Sequence, residues 1–117
     1  ISATGRCVAA FSGRPLAELE TRFQQLRWDN APSLRVWRRQ VRETGERGYS
    51  VDEGHYISGV TVVAAPVLDA ARRMTHGVAA VALSDQVRRA GLARLVAGVC
   101  QVAGTAAARL RSRESAA

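Results

Sequence analysis

Residues 47–69 read RGYSVDEGHYISGVTVVAAPVLD, and the alternation in this stretch decides the fold. A short strand over residues 49–52 leads into a polar turn, Asp52-Glu53-Gly54-His55, and then into a long apolar strand. Along that strand Val60, Val62, Ala64 and Pro66 share one parity, and Thr61, Val63, Ala65 and Val67 the other. Successive strand side chains point to opposite faces, so both faces here are apolar. A strand with one face in water would alternate with polar residues; this one is expected to be covered on both sides. Residues 77–84, GVAAVALS, have the same character and predict a second long strand. The inner residues of both runs are small: Ala64, Ala65, Ala79, Ala80 and Ala82. Small side chains on a covered face leave room either for a close helix or for a ligand. That choice is the functional question.

On the N-terminal side of this ribbon, three helices are expected. Residues 2–11 place Cys7, Val8 and Phe11 at helical spacing, with Ser2 or Thr4 able to cap. Ser12-Gly13-Arg14-Pro15 breaks that helix, and Pro15 suits the first turn of the next, where Leu16, Leu19, Phe23 and Leu26 recur. After a loop, Trp28-Asp29-Asn30-Ala31-Pro32, Ser33 caps a third helix running to about Gly45, with Leu34, Trp37, Val41 and Thr44 as its buried stripe. Arg35, Arg38, Arg39 and Arg42 occupy its other side; they read as a solvated face partly offset by Glu43 and Glu46, in preference to a groove-reading surface. Gly48 ends that helix.

On the C-terminal side, Pro66 cannot donate a ladder hydrogen bond, so it belongs near a strand end, at a bulge or on an edge. Residues 69–76 are expected to join the two long strands, antiparallel, by more than a tight hairpin. One last helix starts near Asp85 or Gln86 and extends towards Leu110, with a stripe of Leu92, Leu95, Val96, Val99, Val102, Ala103, Ala106 and Leu110. The tail from Arg109 should fray. The order is therefore α-α-α-β-β-β-α, an α+β chain. A three-stranded sheet with two apolar faces leaves an edge open to more chain or to another subunit, and the chain reads as the later part of a larger sheet domain.

At 117 residues the chain is expected to be one domain, with 47% hydrophobic and 23% charged residues, the balance of a globular protein. No apolar run approaches the ~20 residues that span a bilayer, and the start lacks a secretory layout. Cys7 and Cys100 make no metal spacing, so free thiols in a reducing cytoplasm are expected. The net charge of +7 invites a nucleic-acid reading. All 17 basic residues are arginine, however, and with the many alanines, valines and glycines this resembles the bias of a GC-rich bacterial genome, to which part of the basicity is attributed.

The stretch RETGERGYSVDEGHYISGVTVVAAPVLD, followed by GVAAVALS, resembles the effector-binding domain of the IclR family of bacterial transcriptional regulators. Its most specific parts are Arg47-Gly48-Tyr49, Gly59-Val60 and Ala64-Ala65-Pro66-Val67. The opening SATGRCVAAF resembles the start of a helix in that family, so the likeness runs from Ser2 to about Leu110. It implies a GAF-like fold, an antiparallel sheet flanked by helices, of which this chain holds the C-terminal part. It also implies a small organic acid as effector, homodimers or tetramers, and DNA contact through a winged helix-turn-helix outside this chain.

Site residues carry over one at a time. Asp52 matches the acidic position after the short strand, Val62 stands where the family usually has a cysteine, and Ala82 and Ser84 match two serines. Thr4 and Gly5 match a helix start whose N–H groups face the ligand, an arrangement suited to a carboxylate. Strand parity allows Val62, Ala82 and Ser84 to share one face beside the space for a ligand. With a thiol and a hydroxyl replaced by Val62 and Ala82, the effector expected is a larger, more hydrophobic or aromatic acid.

Chemistry finds little support. Ser84, Asp52 and His55 lack a nucleophile-elbow context, His55 and His76 lack zinc-ligand spacing, and no phosphate-cradling loop is present. The expectation is a sensing domain, not an enzyme, with no metal, cofactor or membrane. The alternatives are a structural or oligomerisation module whose pocket has degenerated, and an Arg-rich nucleic-acid binder.

Overall fold

A computed structural model describes residues 2–116, with side chains from Ala3 to Glu114. The chain runs α1 (Ser2–Phe11), α2 (Leu16–Gln25), α3 (Leu34–Arg47), β1 (Ser50–Glu53), β2 (Val60–Leu68), β3 (Met74–Leu83), α4 (Ser84–Ala90) and α5 (Leu92–Ala116). The α+β class stands as expected.

The strands form one antiparallel sheet in the order β1-β2-β3. β1 pairs with β2 from Ser50 opposite Ala64 to Glu53 opposite Thr61. β2 pairs with β3 along its whole length, Val60 opposite Leu83 and Val67 opposite His76, with an irregularity at Val67/Leu68. β3 starts at Met74, so the connection is residues 69–73, shorter than the sequence suggested. Asp69 organises it: its Oδ1 accepts the Ala71 and Arg73 N–H groups, each at 2.9 Å. β1 reaches only as far as Ala64, so Pro66 lies where β2 has β3 alone beside it. That is an edge position, which proline tolerates.

The two faces of β2 are covered by different helices. Val63, Ala65 and Val67 pack under α5 against Val99, Ala103 and Ala107, which recur every four residues along that helix. On the other face Ala64 is buried with Ala3 and Cys7 of α1, and the Cys7 thiol donates to the Ala64 carbonyl at 3.6 Å. Helices α2 and α3 close over the back of α1 through Leu19, Phe23, Trp37 and Val41. Phe23 stacks on Trp37 with ring centroids 5.0 Å apart. Cover on both faces therefore holds for β2. It does not extend along β3, where Val81 and Leu83 are 69% and 57% exposed.

Several boundaries follow the reading and several correct it. Ser33 accepts the Val36 N–H and caps α3, and Gly48, at φ 84°, ends it in the left-handed conformation. Thr4 lies inside α1 and caps nothing; the side chain of Ser2 is outside the described residues. Pro15 is the N-cap of α2 and not a helical residue. The single long C-terminal helix is instead two, α4 and α5, bent by 94° at Gly91, whose φ of 97° suits glycine alone. Helix α5 continues to Ala116 where fraying from Arg109 was expected, and Val102, 55% exposed, falls outside its buried stripe. No single helix among the described residues is long and apolar enough to cross a membrane.

Candidate ligand-binding site

The helix α1 has 10 residues and covers only part of its face of the sheet. Beyond its first turn is a cavity of about 250 Å³ lined by Ala3, Thr4, Asp52, Tyr56, Ile57, Val60, Val62, Ala79 and Val81. Its back wall is a patch of one sheet face. Val62 is paired with both Asp52 and Val81, and Ala79 lies two residues further along β3. The mouth is the turn after β1, which is anchored from outside. Asp29 and Asn30 donate their N–H groups to the Tyr56 and His55 carbonyls at 3.0 and 2.8 Å. The Asp29 carboxylate accepts the Ser58 N–H at 2.7 Å.

Behind the wall is a buried ion pair. Arg6, 1% exposed, donates to Asp52 Oδ1 at 3.2 Å, to the Val51 carbonyl at 2.9 Å and to Ser50 Oγ at 3.3 Å. The other Asp52 oxygen accepts the Tyr56 N–H at 3.2 Å. His55 Nδ1 stands 3.5 Å from Asp52 Oδ1 without forming a hydrogen bond. Burial lowers the Arg6 pKa from its ordinary value, and the neighbouring carboxylate pushes it back up. Burial also pushes the Cys7 thiol up to about 12, so it is a neutral core group.

Three of the six residues singled out from the sequence meet at this cavity: Thr4, Asp52 and Val62. Asp52 contributes wall, but its oxygens are engaged by Arg6 and Tyr56. Gly5 lies on another side of α1, beside Val8, Leu19 and Phe23. Ala82 and Ser84 do not belong to this wall, and the parity argument that grouped them with Val62 is corrected by the register. Ala82 is opposite Thr61, one residue off Val62, and so projects from the other face. Ser84 begins α4 and shares a 2.8 Å hydrogen bond with the Thr61 hydroxyl. The free space is beside Val81, not beside Ser84. Ala3, Tyr56, Ile57, Val60, Ala79 and Val81 were not picked out from the sequence. For Val60, Ala79 and Val81 the signal existed, since they share a face with Val62 once strand pairing is known.

The arrangement can hold an apolar body. Its polar lining residues are Thr4, Tyr56 and the already paired Asp52. The family description "Bacterial transcriptional regulator IclR C-terminal" matches residues 1–108. The chain belongs to this family.

Similar solved structures include the Agobacterium tumefaciens repressor BlcR, at 19% identity and a TM-score of 0.78, covering 95% of this chain and 46% of that one. An IclR transcriptional regulator from Alicyclobacillus acidocaldarius matches at 20% identity and a TM-score of 0.73, over 92% of this chain and 44% of that one. The inducer-binding domain of the transcription factor PobR from Acinetobacter, a double mutant complexed with 3-hydroxybenzoic acid, matches at 15% identity and a TM-score of 0.70, over 95% and 65%. At these identities the likeness is one of fold. The chain spans under half the length of the first two. A comparison with curated proteins finds no match. An IclR C-terminal domain is the effector-binding part of a transcriptional regulator, and the family is one of regulators, not enzymes.

Proposed function

We propose that this IclR-type domain senses a small, mainly apolar organic acid, with a single aromatic ring as the best fit, in the cavity between α1 and the sheet. The observation that carries the reading is the lining. Val60, Val62, Ala79, Val81 and Ile57 offer an apolar surround, and Ala3 and Thr4 of the first turn of α1 border it at one end. Size points the same way: about 250 Å³ falls just below the ~300–1,000 Å³ of pockets for drug-sized ligands, and so suits a one-ring compound. Val62 in place of a thiol still supports an apolar ligand; Ala82 no longer contributes to that argument.

In this proposal the chain is part of one effector-binding domain in a cytoplasmic regulator that works as a dimer or tetramer. Occupancy is passed to a winged helix-turn-helix elsewhere in the parent protein. The exposed Val81 and Leu83 along the open edge of β3 support association with further chain. The competing reading, a structural module with a degenerate pocket, draws on one observation: among the described residues of the lining, the charged one, Asp52, is already paired with Arg6.

Thermal unfolding with a panel of acids separates the two, because a ligand that binds only the folded state raises its stability by mass action. Benzoate and hydroxybenzoates are expected to raise the Tm in a concentration-dependent way. A preference for glyoxylate overturns the aromatic assignment, and no shift with any acid favours the structural module.

A further inference from the structure

Eleven of the 17 arginines form no ion pair with a carboxylate among the described residues, and five of these eleven gather in one region. On α3, Arg38 pairs with Glu20 at 2.6 Å and Arg39 with Glu43 at 3.6 Å. The 69–73 loop and the last turns of α5 carry Arg72, Arg73, Arg109, Arg111 and Arg113, all exposed. Arg109 and Arg113 border one groove with His76, and Arg72 and Arg111 border the adjoining one across Ala107 and Leu68. None of the five is in an ion pair with a carboxylate among the described residues. Only Asp69 and Glu114 supply carboxylates in residues 69–76 and 104–114, and Asp69 is committed to its own loop. The dipole of α5 favours cations in its last turn, which accounts for Arg113 but not for the loop arginines or Arg109.

We propose that this end of the sheet docks on the phosphate backbone of duplex DNA, through Arg72, Arg73, Arg109, Arg111 and Arg113 and without reading bases. Arginine suits the partner, since its planar fork matches phosphate geometry in paired hydrogen bonds. The surroundings argue against a protein or membrane partner. Among the described residues the exposed large hydrophobics are Leu16, Leu26, Ile57, Val81, Leu83 and Val102, and none lies in residues 69–76 or 104–114. A surface with charge and no exposed apolar anchor binds by neutralising phosphates and releasing counterions. The surface is at the opposite end of β2 from the cavity, so it stands or falls independently of effector binding.

The test is fluorescence anisotropy of the 117-residue chain with a labelled duplex of arbitrary sequence, between about 50 and 200 mM salt. The variant Arg72→Gln/Arg73→Gln/Arg109→Gln/Arg113→Gln is compared with a charge-matched control, Arg35→Gln/Arg42→Gln/Arg89→Gln/Arg94→Gln. The first is expected to bind at least about tenfold more weakly and to lower the slope of log K against log salt by about 3.6, at ~0.9 for each of four phosphate contacts. The control should change affinity less than about threefold. Single variants Arg73→Gln and Arg109→Gln, each expected to remove about 0.9 from the slope, keep the test open if the fourfold variant folds poorly. Equal losses in variant and control reduce the effect to net charge and overturn the proposal. So does tighter binding to vesicles of anionic phospholipid than to DNA at the same salt.

Discussion

The two faces of this sheet make opposite use of the same kind of residue. Under α5, Ala65, Ala103 and Ala107 are buried in one cluster with Val63, Val67 and Val99, and the helix comes close. Under α1, Ala79 and Val62 border a cavity. Length explains the difference. The 25 residues of α5 extend ~37 Å at 1.5 Å per residue and can cover a nine-residue strand of ~30 Å; the 10 residues of α1 extend only ~15 Å. Small side chains permit space, and the helix above them decides whether any remains. The second face also holds the buried charges, Arg6 and Asp52, where the buried polar group of the first is the neutral Thr61, bonded to Ser84.

The largest effect should come from splitting that ion pair. Arg6→Met leaves Asp52 buried without its partner and is expected to cost about 3–5 kcal/mol in urea unfolding. The double variant Arg6→Met/Asp52→Leu should recover more than half of that loss; equal losses would mean that the backbone bonds of Arg6 matter more than its charge. Next, Ala103→Leu overfills the sealed face and should cost about 1–3 kcal/mol in the same assay. A neutral result would mean that α5 is less closely seated than Ala65 and Ala107 indicate.

Cys7 gives a pH-dependent version of the comparison. Its thiol holds its proton to about pH 12 in the folded chain, against an ordinary value of 9.0. Between those values the folded state binds more protons than the unfolded one, so stability falls as pH rises, by at most about 1.4 kcal/mol per unit, and is untouched below pH 9. Cys7→Ala should flatten that slope in unfolding measured from pH 8 to 11. The smallest effect on stability is expected from Ala79→Leu, which fills the open side: under about 0.5 kcal/mol, together with loss of any stabilisation by aromatic acids.

Much of this was legible in residues 47–69. Two-residue alternation gave the long strands and the double cover of β2, though not of β3, and Ser33 and Gly48 marked the ends of α3 because caps are local chemistry. What was not legible depends on partners distant in the chain. The faces of Val62 and Ala82 follow from where the 69–73 loop sets the register, and a one-residue difference there reverses the answer. Arg6 and Asp52 are 46 residues apart, and nothing local tells that they meet. The bend at Gly91 was hidden by the apolar stripe running on beyond it.

The grip of Arg6 on β1 has one more consequence. A single guanidinium holds three successive residues of that strand, and the carboxylate it holds in turn fastens the turn at the cavity mouth. A guest that pushes Tyr56 outward therefore pulls, through Asp52, on the helix that carries Arg6. Under the proposed function, entry of a small molecule would in this way be felt as tension on α1.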